Sequence, residues 1–364
     1  MTDGELLALH RAIVGLRSLS REEGPLADYI EERLAGLGVE VERLGDNLVA
    51  KCGTGPVICL NSHLDTVPPS PGWRREPFTA TVENGRVYGL GSNDAKASVA
   101  AMLAAFLRLR ARGDALGATV VLTLVTEEEV GSGGTQVVLA ELARRGLRPA
   151  AGIVGEPTGL DIAVAQKGLL VLELRASGRA CHAAHARALG APNALRILAR
   201  DLVAIEGVPR GPDNPWLGPV TLEPTVVSGG TARNTVPAEA SCILDIRTNP
   251  EEAPAELVAR LRAVILGELV VRSERLRPVS ISDRHPLVCA AAAARPGSRL
   301  FGSRGVSDLA FFDGIPGIKV GPGVSERSHT ADEFVLESEI VEGAAFFEQA
   351  VLAWAASGAD GGGA

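Results

Sequence analysis

No stretch of the sequence approaches ~18 uninterrupted apolar residues, so a membrane-spanning helix is not expected. The longest candidate, Ala97 to Leu107, suits a buried helix. The N-terminus, MTDGELLALH, lacks the basic-then-apolar order of a secretory signal. Basic residues are in the minority. Thirty-six Lys and Arg against 44 Asp and Glu leave a net charge of -8, which argues against nucleic-acid or anionic-membrane partners. The cysteines Cys52, Cys59, Cys181, Cys242 and Cys289 are odd in number and form no CxxC pair. They read as reduced thiols of a cytoplasmic protein. The glycine-rich turns at Gly89–Gly91 and Gly131–Gly134 complete neither a dinucleotide fingerprint nor a phosphate loop, which disfavours a nucleotide-binding enzyme. What remains is an ordinary globular composition, 46% hydrophobic and 22% charged, in a chain of 364 residues that suits two domains.

The first ~165 residues alternate helix and strand patterns. Helical spacing marks Leu6 to Leu19, Leu26 to Leu37 and the strongly apolar Ala95 to Leu109. Strand-like runs lie at Pro56–Ser62, Ala118–Thr126, Ala151–Gly155 and Asp161–Ala165. This alternation predicts an α/β sheet of mainly parallel strands with helices on both faces, and chemistry at the carboxyl edge. From Gly168 the order becomes strand, helix, strand, strand, helix, strand, ending near Ser282. That is the pattern of an inserted ferredoxin-like α+β unit. The αβ pattern then resumes with a strand at Ile318–Val320 and a helix from Glu337 to Trp354. The expected domains are therefore 1–167 with 283–364, and an inserted lid at 168–282. The tail ASGADGGGA is expected to fray.

Polar groups stand at strand ends where packing does not require them. VICLNSHLD ends with His63 and Asp65, YGLGSNDAK supplies Asp94, and TLVTEEEVGSGG carries Glu127, Glu128 and Glu129. AGIVGEPT supplies Glu156 and GPGVSERSHTADEF supplies His329. Singly, each has an ordinary reading: a hydrogen-bonded pair, a solvated loop, a capping histidine. Together they exit buried strands or tight turns, and grouped carboxylates repel one another unless a cation compensates. Two histidines with three carboxylates suit two borderline divalent ions such as zinc, cobalt or manganese. Such a pair, ~3.5–4 Å apart, can activate water and polarise a carbonyl. Asp65, two residues past His63, can accept the other imidazole N–H. A metal-binding protein without catalysis would not need a second Glu beside the ligand.

The motifs SHLDTVP, GLGSNDAK, TEEE, GEPT, SGRACHAAH, ARNTVPAEASCILDIR and GPGVSERSHTADEF resemble those of the dinuclear zinc deacylases and exopeptidases, over nearly the whole chain. That family includes acetylornithine deacetylase, succinyl-diaminopimelate desuccinylase, aminoacylase and glutamate carboxypeptidase. AVAQKGLLVLEL, WLGPV and SERSHTADEF look most like acetylornithine deacetylase-like enzymes. The resemblance implies His63 and Glu156 on one metal, Glu128 and His329 on the other, and Asp94 bridging. Glu127 is then the general acid/base, and Glu129 is left solvated. In the lid, His182 is implied to polarise the scissile carbonyl, and Asn234 and Arg247 to contact substrate, Arg247 through the α-carboxylate. Where the family has Gly two residues past the bridging Asp's neighbour, this chain has Asp94-Ala95-Lys96-Ala97. The implied reaction is amide hydrolysis of N-acetylornithine in arginine biosynthesis. The alternatives are N-succinyl-ornithine, N-acetylcitrulline, N-acyl-lysine, succinyl-diaminopimelate or a peptide end. Relatives pair their lids, implying a homodimer in which His182 serves the neighbouring subunit.

Overall fold

The computed structural model describes residues 1–358. The last six residues of the tail expected to fray lie outside the described residues. The chain divides into two compact units. One comprises Met1–Val164, Ile281–Phe301 and Ser307–Ala364; the other comprises Ala165–Ser280 and Gly302–Val306.

In chain order the first stretch runs α1 (Asp3–Val14), α2 (Gly24–Gly36), β1 (Val41–Leu44), β2 (Asn47–Cys52), β3 (Val57–His63), β4 (Thr81–Glu83) and β5 (Arg86–Tyr88). It continues with α3 (Lys96–Arg110), β6 (Thr119–Val125), α4 (Gly133–Arg144), β7 (Ala151–Val154) and β8 (Ile162–Gln166). The inserted stretch is β9 (Gly168–Ser177), α5 (Ala194–Glu206), β10 (Thr221–Gly229), β11 (Glu239–Thr248), α6 (Pro254–Arg262), β12 (Glu268–Leu276) and β13 (Val279–Ser280). The return supplies α7 (Pro286–Ala294), β14 (Leu300–Ser303), β15 (Gly317–Lys319), β16 (Phe334–Leu336) and α8 (Glu337–Ala356).

In the first unit the centre of the large sheet is parallel, in the order β6-β3-β7-β15. Antiparallel β2 and β1 extend one side, and β8 pairs antiparallel on the other. Every residue of β6 is buried, as a central strand covered on both faces requires. On one face Val138 and Leu142 of α4 pack on Val49, Val121 and Val125. Helix α3 is buried along nearly its whole length and packs against α1 and α8. The register decides where the chemistry falls. His63 lies opposite Val125, and Asn61 opposite Val154, so the segments leaving β3, β6 and β7 emerge from one edge.

In the second unit the four-stranded antiparallel sheet runs β10-β11-β9-β12. One face buries Leu170, Leu172 and Leu174 against Leu198 and Ile205 of α5 and Leu257 and Leu261 of α6. Strand alternation and helical periodicity meet there, which is the ferredoxin-like arrangement.

The helix read over Leu6 to Leu19 stops at Val14, where Gly15 caps it. The β1–β2 hairpin, the three-stranded sheet β16-β5-β4, and helices α4 and α7 were not among the elements read from the sequence. No helix among the described residues is long and apolar enough to cross a membrane.

Candidate metal centre

His63 closes β3 and is buried. Its Nδ1 lies 3.0 Å from the backbone carbonyl of Asp65 and 3.5 Å from Asp65 Oδ1. With Nδ1 turned to Asp65, Nε2 is the ring nitrogen directed, as a potential ligand atom, toward Asp94 Oδ1 at 3.2 Å. Asp65 is fully buried and accepts from Ser20 Oγ at 2.7 Å and from the N–H groups of Glu128 and Glu129 at 3.0 and 3.1 Å. Burial alone would raise the Asp65 pKa, but His63 and these donors bring it below its usual range. Burial alone would likewise lower the His63 pKa. Hydrogen bonds to Asp65 and Asp94, with the charges of Glu156 and Glu128, hold it well above its ordinary value.

Asp94 directs one oxygen at each histidine. Oδ1 stands 3.2 Å from His63 Nε2 and Oδ2 stands 3.8 Å from His329 Nε2. The Asp94–Ala95 peptide bond is cis, and α3 starts at once with Lys96. Ala97 takes the position where a glycine was expected and is fully buried.

The glutamate triplet departs from the expected assignment by one residue. Asn47 Oδ1 accepts the N–H of Thr126 at 2.9 Å. Glu127 then turns left-handed at φ 59°, its N–H bonded to the Glu23 carboxylate at 3.0 Å. The Glu127 side chain is 41% exposed and stands 3.7 Å from Arg21. Glu129 is only 10% exposed, and its Oε1 lies 2.9 Å from His329 Nε2. Among the described residues, His63, Asp94 and Glu129 each offer a ligand atom within 4.8 Å of the others. Glu129, not Glu128, therefore meets His329, and Glu129 is not the solvated residue expected. The left-handed turn breaks strand alternation, so the period of two stops at Glu127.

Behind this edge the carboxylates crowd. Glu156 leaves β7 after Gly155, where a Cβ would stand 2.8 Å from Ser98 and Met102 of α3. Burial, then Asp94, pushes the Glu156 pKa up to about 8. Burial, then Glu156, pushes Glu128 well above the carboxylate range. The hydrogen bond to Glu129 raises His329 to about 9. Buried Lys319 also belongs to the cluster. Burial lowers its pKa, and Glu156, Glu128 and Asp94 oppose that. This excess of acid around two imidazoles fits divalent cations with mixed nitrogen and oxygen donors.

His182, Asn234 and Arg247 all lie in the second unit. His182 and Asn234 are exposed. His182 Nδ1 accepts the N–H of Ala184 at 3.2 Å, and the Asn234 carbonyl accepts from Ala183 at 2.8 Å. Arg247 is half-buried on β11 and forks onto Asp245 at 2.7 and 3.1 Å.

Residues 59–353 match the sequence pattern described as peptidase family M20/M25/M40. The chain belongs to this family. As an M20 member it is a hydrolase. It is 32% identical to succinyl-diaminopimelate desuccinylase of Rhodospirillum centenum, over 96% of this chain and 97% of that one. It is 34% identical to the enzyme of the same name from Acidiphilium cryptum, over 73% of each chain. The fold is similar to that of aminopeptidase PepT from Bacillus cereus, with TM-score 0.79 and 21% identity over 98% and 99% of the two chains.

Several buried polar residues of this M20 chain were not singled out from sequence. Asp308, which accepts from Asn61 Nδ2 at 3.0 Å, and Lys319 had no signal beyond being polar in apolar runs. Glu23 ends the polar, surface-like run Ser20-Arg21-Glu22-Glu23, and Glu333 sits four residues past His329 within SHTADEF. Both of these glutamates hold backbone N–H groups of the segments that carry the cluster.

Proposed function

We propose that the chain hydrolyses the amide bond of an N-acyl amino acid using two divalent metal ions, zinc or cobalt with manganese as an alternative. His63, Glu156 and Asp94 would hold one, and Asp94, Glu129 and His329 the other. The observation that carries this reading is Asp94, with one oxygen toward each histidine, inside a crowd of half-buried carboxylates.

The bound ions would supply Lewis acidity toward the acyl carbonyl and the attacking water. Asp65 fixes the His63 tautomer and braces the turn of the triplet. Glu128, half-buried among acids, takes the proton of the attacking water and returns it to the departing amine. His182 donates to the developing oxyanion. Asn234 contacts substrate, and Arg247 binds the α-carboxylate, sharing itself with Asp245.

For the acyl group, the named relatives favour N-succinyl-diaminopimelate, whereas the lid and C-terminal motifs favour N-acetylornithine. A panel of N-acyl amino acids assayed with added metal separates the two. Turnover of either supports the reaction class, and none of any N-acyl amino acid would defeat it. We also infer a cytoplasmic homodimer paired through the second unit. Support for the pairing is the open edge of β10 with Val226 and Val227 about 60% exposed, and Val203 of α5 at 70%.

A further inference from the structure

We propose that Glu333 is a positioning residue that sets the geometry of Asp94; the inference rests on reading Asp94 as a metal ligand. Glu333 is 2% exposed. Its Oε2 accepts the N–H of Gly91 at 2.9 Å, and its Oε1 accepts the N–H groups of Asn93 and Asp94, both at 2.9 Å. Its backbone carbonyl accepts from Gly89 N at 3.1 Å and Ser92 Oγ at 3.3 Å. One residue thus holds the Gly89–Asp94 segment from end to end.

The need for such a residue follows from the backbone. Gly89 and Gly91 have φ of 150° and 75°, so the segment follows neither helix nor strand and its N–H groups have no ladder to join. They point inward, where a buried donor without a partner is costly. A carboxylate offers four acceptor sites, and Glu333 uses three on these donors. Both of its oxygens are engaged by backbone donors, which separates Glu333 from the residues read as ligands and base. The link also runs between two ligand segments, because Glu333 lies four residues past His329. Asn93 adds a second tie, donating to Val324 O and Ser328 Oγ and accepting from Val324 N. The spacing between Asp94 and His329 is therefore held by protein hydrogen bonds before any ion arrives.

Glu333→Gln is the discriminating variant. Its single oxygen can serve Asn93 and Asp94, but its amide turns a donor toward the N–H of Gly91. The probes are Zn²⁺ affinity of chelator-stripped protein, by competition with a chromophoric chelator, and amide exchange of the metal-free protein. Zn²⁺ affinity is expected to fall ~10–100-fold with the melting temperature of the metal-free variant near that of the parent. The amides of Gly91, Asn93 and Asp94 should be slow to exchange in the parent and faster in the variant. Unchanged Zn²⁺ affinity in a folded Glu333→Gln protein would overturn the proposal. So would rapid exchange of these three amides in the parent, a result independent of whether any variant folds. Asp94→Asn is the control for the underlying reading. If it binds Zn²⁺ as the parent does, the ligand role of Asp94 fails, while the exchange result still decides what Glu333 holds.

Discussion

The functional side chains of the two units are held in opposite ways. In the first unit His63 and Asp65 are buried, Asp94 and Glu129 are nearly so, and the half-exposed His329 is held by Glu129, each fixed by contacts with neighbouring loops. In the second unit the His182 and Asn234 side chains are exposed, His182 bonding only the nearby Ala184 N–H, and Arg247 is held by a residue two positions away. The difference follows the chemistry. Ligands of a cation must converge in a fixed geometry, and their repulsion has to be offset by burial and hydrogen bonds. Groups that meet a substrate can be ordered by the substrate itself, at some cost in affinity.

The largest effect should come from the buried side of this contrast. Glu128→Gln should lower kcat ~10²–10⁴-fold with two metal ions retained, whereas Glu127→Gln should stay near the parent. The reverse pattern would return the base to Glu127 and break the one-residue correction. His182→Ala should cost ~10²–10³-fold through the lost oxyanion donor. A purified mixed dimer of Glu128→Ala and His182→Ala chains should recover up to about half of parental activity if His182 serves the neighbouring subunit. No recovery would confine each site to one chain. Arg247→Ala should raise KM roughly 10–100-fold for the free acid and far less for its neutral amide. Equal losses would make Arg247 a structural partner of Asp245.

The smallest effect at neutral pH concerns a histidine outside the cluster. His10 is fully buried with Nε2 2.9 Å from Ser92 O, and burial lowers its pKa from 6.5 to about 4. Below pH 6.5 the unfolded chain takes up a proton that the folded chain refuses. Stability should therefore fall from pH 6.5 to about 4, by up to ~3 kcal/mol, and level off below. Denaturant titrations should show a shallower acid slope in a folded His10→Gln variant, and an unchanged slope would remove His10 as a cause.

Strands with strong period or continuous apolar runs were legible. Those read at Pro56–Ser62, Ala118–Thr126 and Ala151–Gly155 correspond to β3, β6 and β7, and their ends carry the cluster. The six elements from β9 to β12 were legible for the same reason. The hairpin of β1 and β2 was not, because β1 is half-buried throughout and shows no alternation. The identity of the glutamate that meets His329 was not legible either. Three identical residues in a row differ only through the left-handed turn at Glu127, which no pattern of side chains announces. Glu23, Asp308 and Glu333 were invisible because their partners are backbone amides or side chains distant in sequence.

Metal stoichiometry read together with activity tests the dinuclear site most directly. Protein stripped by prolonged chelation should be inactive, bind two equivalents of Zn²⁺ or Co²⁺ per chain, and regain amide hydrolysis as they bind. In Glu129→Ala, one equivalent should be lost while the His63–Glu156 position still fills. Full turnover after stripping, or two equivalents bound by Glu129→Ala with parental affinity, would contradict the dinuclear site described here.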